Sequence, residues 1–151
     1  LDIIDEILDL EQARRGELVM DTCYLPVLLR EALEHHEADF QEHHHTVQAN
    51  IPEHFPAIQG DPTKIREAFS NLIGNAAKYT PDGGQITVDL TLSNSTIRIL
   101  VQDNGYGIAP EAQTRLFQEF YRVQTDHTAH IPGTGLGLSL VKAIVEAHQG
   151  Q

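Results

Sequence analysis

Between Asp61 and Asp103 the hydrophobic period changes from that of a helix to that of a strand, and this order restricts the fold more than any other feature of the chain. Asp61 is placed to cap a helix, and Pro62 occupies its first position, where a missing N–H costs nothing. Ile65, Phe69, Leu72, Ile73 and Ala76 follow at helical spacing as one apolar stripe. Glu67, Asn71, Asn75 and Lys78 fall three or four residues apart on the other face. Pro81-Asp82-Gly83-Gly84 is turn chemistry. Beyond it, Ile86, Val88, Leu90 and Leu92 alternate with polar residues, and Asn94-Ser95 turns the chain into a second strand over 96–103, which predicts a hairpin.

The flanking segments extend the mixture. Ile3, Ile4, Ile7, Leu8 and Leu10 predict an amphipathic helix over 1–15, stopped by Gly16; it is too short for a domain and reads as the end of a longer helix whose partner lies elsewhere. A short strand is predicted over 17–23, and a second amphipathic helix over 25–42. Strands at 46–51 and 57–60 are separated by a loop bearing Pro52 and Pro56. Residues 105–134 hold one short helix, from Pro110 to about Phe117, in a polar, glycine-rich stretch long enough to be a functional loop. A last helix is predicted over 137–148. With no regular βαβ repeat, this order predicts an α+β fold: a two-layer sandwich with helices on one face of a mixed sheet.

At 151 residues, with 40% apolar and 21% charged residues, the chain is long enough for one domain with its own core. Its net charge of −12 disfavours DNA, RNA and anionic lipid, so a nucleotide binds only where local donors and a cation overcome the field. A single cysteine, Cys23, rules out an internal disulfide and fits a reducing compartment. Nine histidines include His35-His36 and His43-His44-His45. Adjacent histidines point in different directions and no Cys or carboxylate completes a ligand spacing, so a solvated polar face is the expectation over a metal site.

Three motifs carry chemistry. Asn75 offers a side-chain carbonyl oxygen, a hard donor suited to Mg²⁺, and Lys78 lies one turn on as a point charge for phosphate. Asp103 continues the register of Ile97, Ile99 and Val101, so its carboxylate is expected toward the apolar side, where it accepts from an exocyclic amine such as that of adenine. Asp-Asn-Gly is equally a turn sequence. Gly105 and Gly107 favour the approach of a flat ligand. Gly133-Thr134-Gly135-Leu136-Gly137 leads straight into a helix, an anion site built from backbone N–H groups and the positive dipole end. It lacks the Gly-Lys-Ser/Thr ending of a P-loop and does not follow a strand as a Rossmann turn does. Phe117, Phe120 and Tyr121 are expected to pin this loop to the core when closed, with Arg122 in reach of phosphate.

In this order the motifs resemble those of the ATP-binding catalytic domain of two-component sensor histidine kinases, in the superfamily shared with gyrase, the mismatch-repair ATPases and a heat-shock chaperone. Residues 71–81 resemble the N box, 103–107 the G1 box, 116–122 the F box and 133–142 the G2 box. The resemblance covers 17–150 and implies a Bergerat-type ATP-binding fold with a mobile lid over 106–134. It implies that Asp103 reads the adenine amine, with Gly105, Gly107 and Ile108 around the base, and that Asn75 holds Mg²⁺. It further implies that Asn71, Lys78, Tyr79 and Arg122 contact phosphate or ribose, and that Gly133, Thr134, Gly135, Leu136, Gly137 and Leu138 shape the phosphate end. The implied reaction moves the γ-phosphoryl group of ATP to a histidine of a separate dimerisation and phosphoacceptor domain, and a response regulator follows downstream.

Hydrolytic members of the superfamily carry a Glu one turn before the metal Asn. Here that place is Asn71, which cannot act as a base, and Glu67 is a further turn away. Transfer with little hydrolysis is therefore expected. Two departures stand out. No histidine sits in the family's His-Glu/Asp-x-x-x-Pro phosphoacceptor setting, and at Gln149-Gly150-Gln151 the family's further strands are expected but not seen. Residues 1–16 then read as the end of a dimerisation helix or linker, and 17–151 as the catalytic domain with its last strands missing. The domain is expected in the cytoplasm, within a homodimeric parent that is either membrane-anchored or not. Two other readings remain open: a nucleotide-binding regulatory module without transfer, and a serine kinase acting on anti-sigma-type partners.

Overall fold

The computed structural model describes residues 3–151. Its elements run α1 (Ile3–Arg14), β1 (Asp21–Cys23), α2 (Leu25–His35), α3 (Glu37–Glu42), β2 (Thr46–Asn50), β3 (Ile58–Gly60), α4 (Pro62–Tyr79), β4 (Gln85–Ser93), β5 (Thr96–Asp103), α5 (Pro110–Gln113) and α6 (Gly137–Ala147). Positions 1 and 2 of the predicted first helix lie outside the described residues.

A three-stranded mixed sheet has the order β2-β4-β5, with β2 parallel and β5 antiparallel to β4; β1 and β3 form a separate antiparallel pair. The period-2 pattern of β4 sets which face is buried. Ile86, Val88 and Leu90 are at most 1% exposed. Their partners across the ladder are Asp103, Val101 and Ile99, and directly opposed residues share a face. Helices α2 and α4 cover that face, contributing Leu25, Leu28, Leu29, Phe69, Ile73 and Ala76 to one apolar cluster. A second cluster joins α1, α4 and α6 through Leu10, Ala13, Ala68, Leu136, Leu140 and Ile144. The mixed sheet covered on one face by helices is the α+β arrangement the periods predict.

Helix α4 belongs to both clusters, and its start is fixed by Asp61. One carboxylate oxygen accepts from the N–H groups of Thr63 at 3.0 Å and Lys64 at 3.1 Å. The other accepts from Val19 N–H at 2.8 Å, tying the segment before β1 to the helix. Burial alone would raise the Asp61 pKa, but the three backbone donors outweigh it and hold the carboxyl below its usual range. The Asp61 N–H donates to His148 Nε2 at 2.9 Å, and His148 Nδ1 donates to Ile144 O at 2.7 Å, so α6 is latched to the same point.

Three boundaries differ from expectation by more than one residue. The helix predicted over 25–42 is broken at His36, whose N–H turns back to Leu33 O at 3.1 Å while its ring reaches α4. The strand predicted over 17–23 shortens to Asp21–Cys23, because Val19 N–H is taken by Asp61. The helix from Pro110 ends at Gln113 and continues as tight turns to Gln118.

The histidine-rich stretch is a tether. His43 Nδ1 donates to the Asp82 carboxylate at 2.8 Å, and His43 O accepts from Gly83 N–H at 2.8 Å. His45 Nε2 donates to Thr80 O at 3.0 Å. The Asp82 hydrogen bond raises the His43 pKa. Among the described residues no three His, Cys, Asp or Glu side chains converge as metal ligands, and no helix is long and apolar enough to cross a membrane.

Candidate functional site

The polar face of α4 opens onto a groove of about 530 Å³ between α2, α4 and the C-terminal half of α1. Asn71, Asn75 and Lys78 line it together with Glu67, His36 and Lys64. Helical spacing of three and four places these side chains in a row. Asn71 Nδ2 donates to Glu67 O at 3.0 Å, which turns its carbonyl oxygen toward α6; a Cβ on Gly137 would lie 2.7 Å from that oxygen. Glycine at 137 thus lets the glycine loop close against the asparagine helix. Asn75 makes no side-chain hydrogen bond among the described residues, so its amide oxygen is available to a hard cation. Lys78 is exposed and makes no ion pair among the described residues.

His36 braces this row from the α2 side of the groove. Its Nε2 lies 2.9 Å from Ser70 Oγ and 3.1 Å from Ser70 O, and its Nδ1 donates to Asp39 at 3.0 Å. Its ring faces Gly74, where a Cβ would meet Cε1 at 2.9 Å. At the α1 end, Lys64 is nearly buried, bonded to Asp9 at 2.5 Å and 3.6 Å from Glu67. Burial works to lower the Lys64 pKa, but Asp9 and Glu67 outweigh it and raise it. Burial first, then the Asp9 charge, push the Glu67 carboxyl up.

Asp103, Gly105 and Gly107 lie outside that groove, at the end of β5. Asp103 has the predicted register, opposite Ile86, but its carboxylate is exposed rather than buried. Asp103 Oδ1 turns back to accept from Gly105 N–H at 2.9 Å. Gly105 is packed under the end of α4: a Cβ there would lie 2.1 Å from Tyr79 O. Tyr106 N–H donates to that same carbonyl at 3.1 Å, fixing Tyr79 to the glycine turn through its backbone. Gly107 has φ +71°, a conformation that favours glycine. Ile108 is 43% exposed beside it.

The loop over 106–134 is anchored at several points. The rings of Tyr106 and His127 stack at 5.3 Å, and Thr128, buried, donates to Val123 O at 2.9 Å. Phe117 and Phe120 do not pin it through their rings, which are 51% and 56% exposed. The pin is backbone: Phe120 N–H donates to Gly135 O at 3.1 Å, and a Cβ on Gly135, φ +81°, would sit 2.8 Å from Phe120 Cα. Arg122 is turned into the loop, where it donates to Ile131 O. In the glycine loop, Thr134 Oγ1 accepts from Leu136 N–H at 3.3 Å, and Leu136 is fully buried at the head of α6. The first intrahelical bond of α6 runs from Leu140 N–H to Leu136 O, so Gly137 and Leu138 carry N–H groups ahead of it.

Sequence reasoning missed His36, His127 and the acidic residues of α1. Their only signal was a polar residue on an amphipathic helix or in a polar loop, which does not specify a partner distant in sequence.

Residues 60–151 match the family described as histidine kinase-, DNA gyrase B- and HSP90-like ATPase. The adaptive-response sensory kinase SasA of Rippkaea orientalis is 34% identical over 152 residues, which span 99% of this chain and 38% of that protein. The sensor histidine kinase CusS of Escherichia coli is 43% identical over 93 residues, 62% of this chain and 19% of that protein. The crystal structure of full-length ShkA in complex with AMPPNP superposes with a TM-score of 0.78 at 28% identity, over 95% of this chain and 30% of that one. The catalytic domain of histidine kinase ThkA, in a nucleotide-free form, superposes at 0.74 and 25% identity, over 85% of this chain and 81% of that one. The chain belongs to the histidine kinase-, gyrase B- and HSP90-like ATPase family, and within it to the ATP-binding catalytic domains of sensor histidine kinases. It spans well under half the length of the curated relatives it matches.

Proposed function

We propose that this chain binds Mg-ATP and donates its γ-phosphoryl group to a histidine on a separate phosphoacceptor and dimerisation domain, with a response regulator as the next acceptor. The observation that carries the reading is the row of Asn71, Asn75 and Lys78 on α4, with Asn71 packed against Gly137 of the glycine loop and an amide where a hydrolytic relative has a base. Asp103 receives the adenine amine, with Gly105, Gly107 and Ile108 around the ring. Tyr79 and Arg122 contact ribose or phosphate, Arg122 by exchanging Ile131 O for an anion. Gly133 to Leu138 give backbone donors to the phosphates, and Lys78 adds a point charge.

Asn75 supplies the oxygen that suits Mg²⁺, which keeps most of its shell for phosphate and water; when bound, the ion neutralises charge on the phosphates. The chain's own contribution is orientation and electrostatic support, with no nucleophile of its own. The segment over 1–16 is the end of a dimerisation helix or a linker under this reading, and the domain works in the cytoplasm as part of a dimeric parent.

The test is transfer of labelled γ-phosphate to a supplied phosphoacceptor domain. Acid-labile label that disappears in Asn75→Ala is expected, together with loss of the ATP-over-GTP preference in Asp103→Asn. Acid-stable label on serine, or binding without transfer, refutes the histidine assignment.

A further inference from the structure

Helix α1 grips the catalytic body at three polar points. The Glu6 carboxylate accepts from the Thr134 hydroxyl in the glycine loop. Asp9 pairs with the nearly buried Lys64 on α4 at 2.5 Å. Arg14 pairs with Glu119 in the loop that precedes the glycine turn. Leu10 and Ala13, at most 2% exposed, pack between these points against α6. A helix that reads as the edge of another domain is thus fastened to both loops that flank the phosphate end.

The Glu6 contact has a distinct chemistry. Thr134 has one hydroxyl proton, and it is given to Glu6; the same oxygen accepts from Leu136 N–H at 3.3 Å. The head of α6 is a place where backbone donors and the helix dipole favour an anion. In this structure the anion nearest to it through Thr134 is a side chain of α1. The other side of the loop is held by Phe120 N–H on Gly135 O.

We infer that Glu6 is a positioning residue that stands in for phosphate at the glycine loop, so that the triphosphate and α1 compete for the loop and nucleotide binding loosens the N-terminal half of α1. This inference rests on the nucleotide reading above. The mechanism is charge repulsion between the Glu6 carboxylate and the terminal phosphates, together with the claim of both on Thr134. Because coupling between sites is reciprocal, whatever α1 costs the nucleotide, the nucleotide costs α1. Asp9–Lys64 lies further along the helix and remains as the pivot.

The test is Glu6→Gln, which keeps an acceptor for Thr134 and removes only the charge. Calorimetric titration at low salt is expected to give Mg-ATP binding on the order of fivefold tighter than wild type, with a smaller gain for Mg-ADP and none for adenosine. The gain shrinks as salt rises. Asp5→Asn, the same charge change one residue away and without the contact, gives a smaller shift. In the wild type, adding the non-hydrolysable Mg-AMPPNP raises amide hydrogen exchange over residues 3–9. A merely structural role for Glu6 predicts equal affinity changes for all three ligands, and that result overturns the inference, as does unchanged Mg-ATP binding or slower exchange in α1. If the wild type binds no Mg-ATP, the nucleotide reading itself fails and takes this one with it; binding by wild type and variant alike sinks the Glu6 role alone.

Discussion

Replacing Gly105 with alanine separates contact from conformation at the turn after β5. A Cβ at 105 would lie 2.1 Å from Tyr79 O, and 2.9 Å from both Tyr79 C and Asp103 Oδ1. The first of these neighbours is backbone at the end of α4, so relief requires moving the helix terminus or the turn. Either motion breaks the 3.1 Å bond from Tyr106 N–H to Tyr79 O, worth about 1 kcal/mol. Overpacking adds about 2 kcal/mol, giving a loss of roughly 3 kcal/mol. In a domain of this size that lowers Tm by about 6–12 °C. Gly83→Ala is the control: φ is +76° and nothing lies within 4 Å, so only the left-handed backbone is penalised, by about 1 kcal/mol. Thermal unfolding followed by circular dichroism measures both. If Gly105→Ala melts within a degree or two of wild type, or above Gly83→Ala, the close packing of this turn under α4 is not what glycine serves.

Asp61→Ala strands three N–H groups and is expected to cost roughly 3 kcal/mol in denaturant unfolding. The folded Asp61 pKa is depressed, so its stabilisation is present above the unfolded value of about 3.9 and is lost as pH falls through the folded one. Wild type should therefore lose its advantage over the variant on acidification below about pH 4; a constant gap down to strong acid contradicts the assignment. His36→Ala removes the brace on Ser70 and should cost about 2 kcal/mol in the same assay. Because the brace bears on Ser70 and Gly74, in the turn that leads to Asn75, a Mg²⁺ titration of ATP binding should show a several-fold weaker metal dependence with adenosine affinity unchanged. A uniform loss across both ligands argues that His36 serves stability alone.

The elements that read most clearly from sequence were those whose signal is local. Asp61-Pro62 marked the start of α4 because capping is settled within three residues. The alternation of Ile86, Val88 and Leu90 marked β4 because strand period is counted along the chain. The row of Asn71, Asn75 and Lys78 followed from helical spacing alone. Where local and tertiary forces disagreed, the local signal failed. The pattern over 25–42 is continuous, yet the helix breaks where the His36 ring finds Ser70. Phe117 and Phe120 are apolar enough to predict a pinned lid, but the contact is made by the Phe120 backbone on Gly135. Register gave Asp103 its face, whereas its carboxylate is exposed and turned back onto Gly105 N–H.

Sequence by itself determined the succession of helix and strand, the donors available to a nucleotide and the absence of a base at position 71, because each is a property of neighbours along the chain. Only the tertiary structure decided that α1 fastens to the glycine loop and to the loop before it, that Arg122 is turned inward, and that the histidines tie α2, α3 and the β2 lead-in to α4 and the turn after it. Those outcomes depend on contacts between residues far apart in the chain, such as Glu6 and Thr134 or Arg14 and Glu119. Such pairs form only after the apolar clusters have fixed where each helix lies, and no periodicity encodes that position.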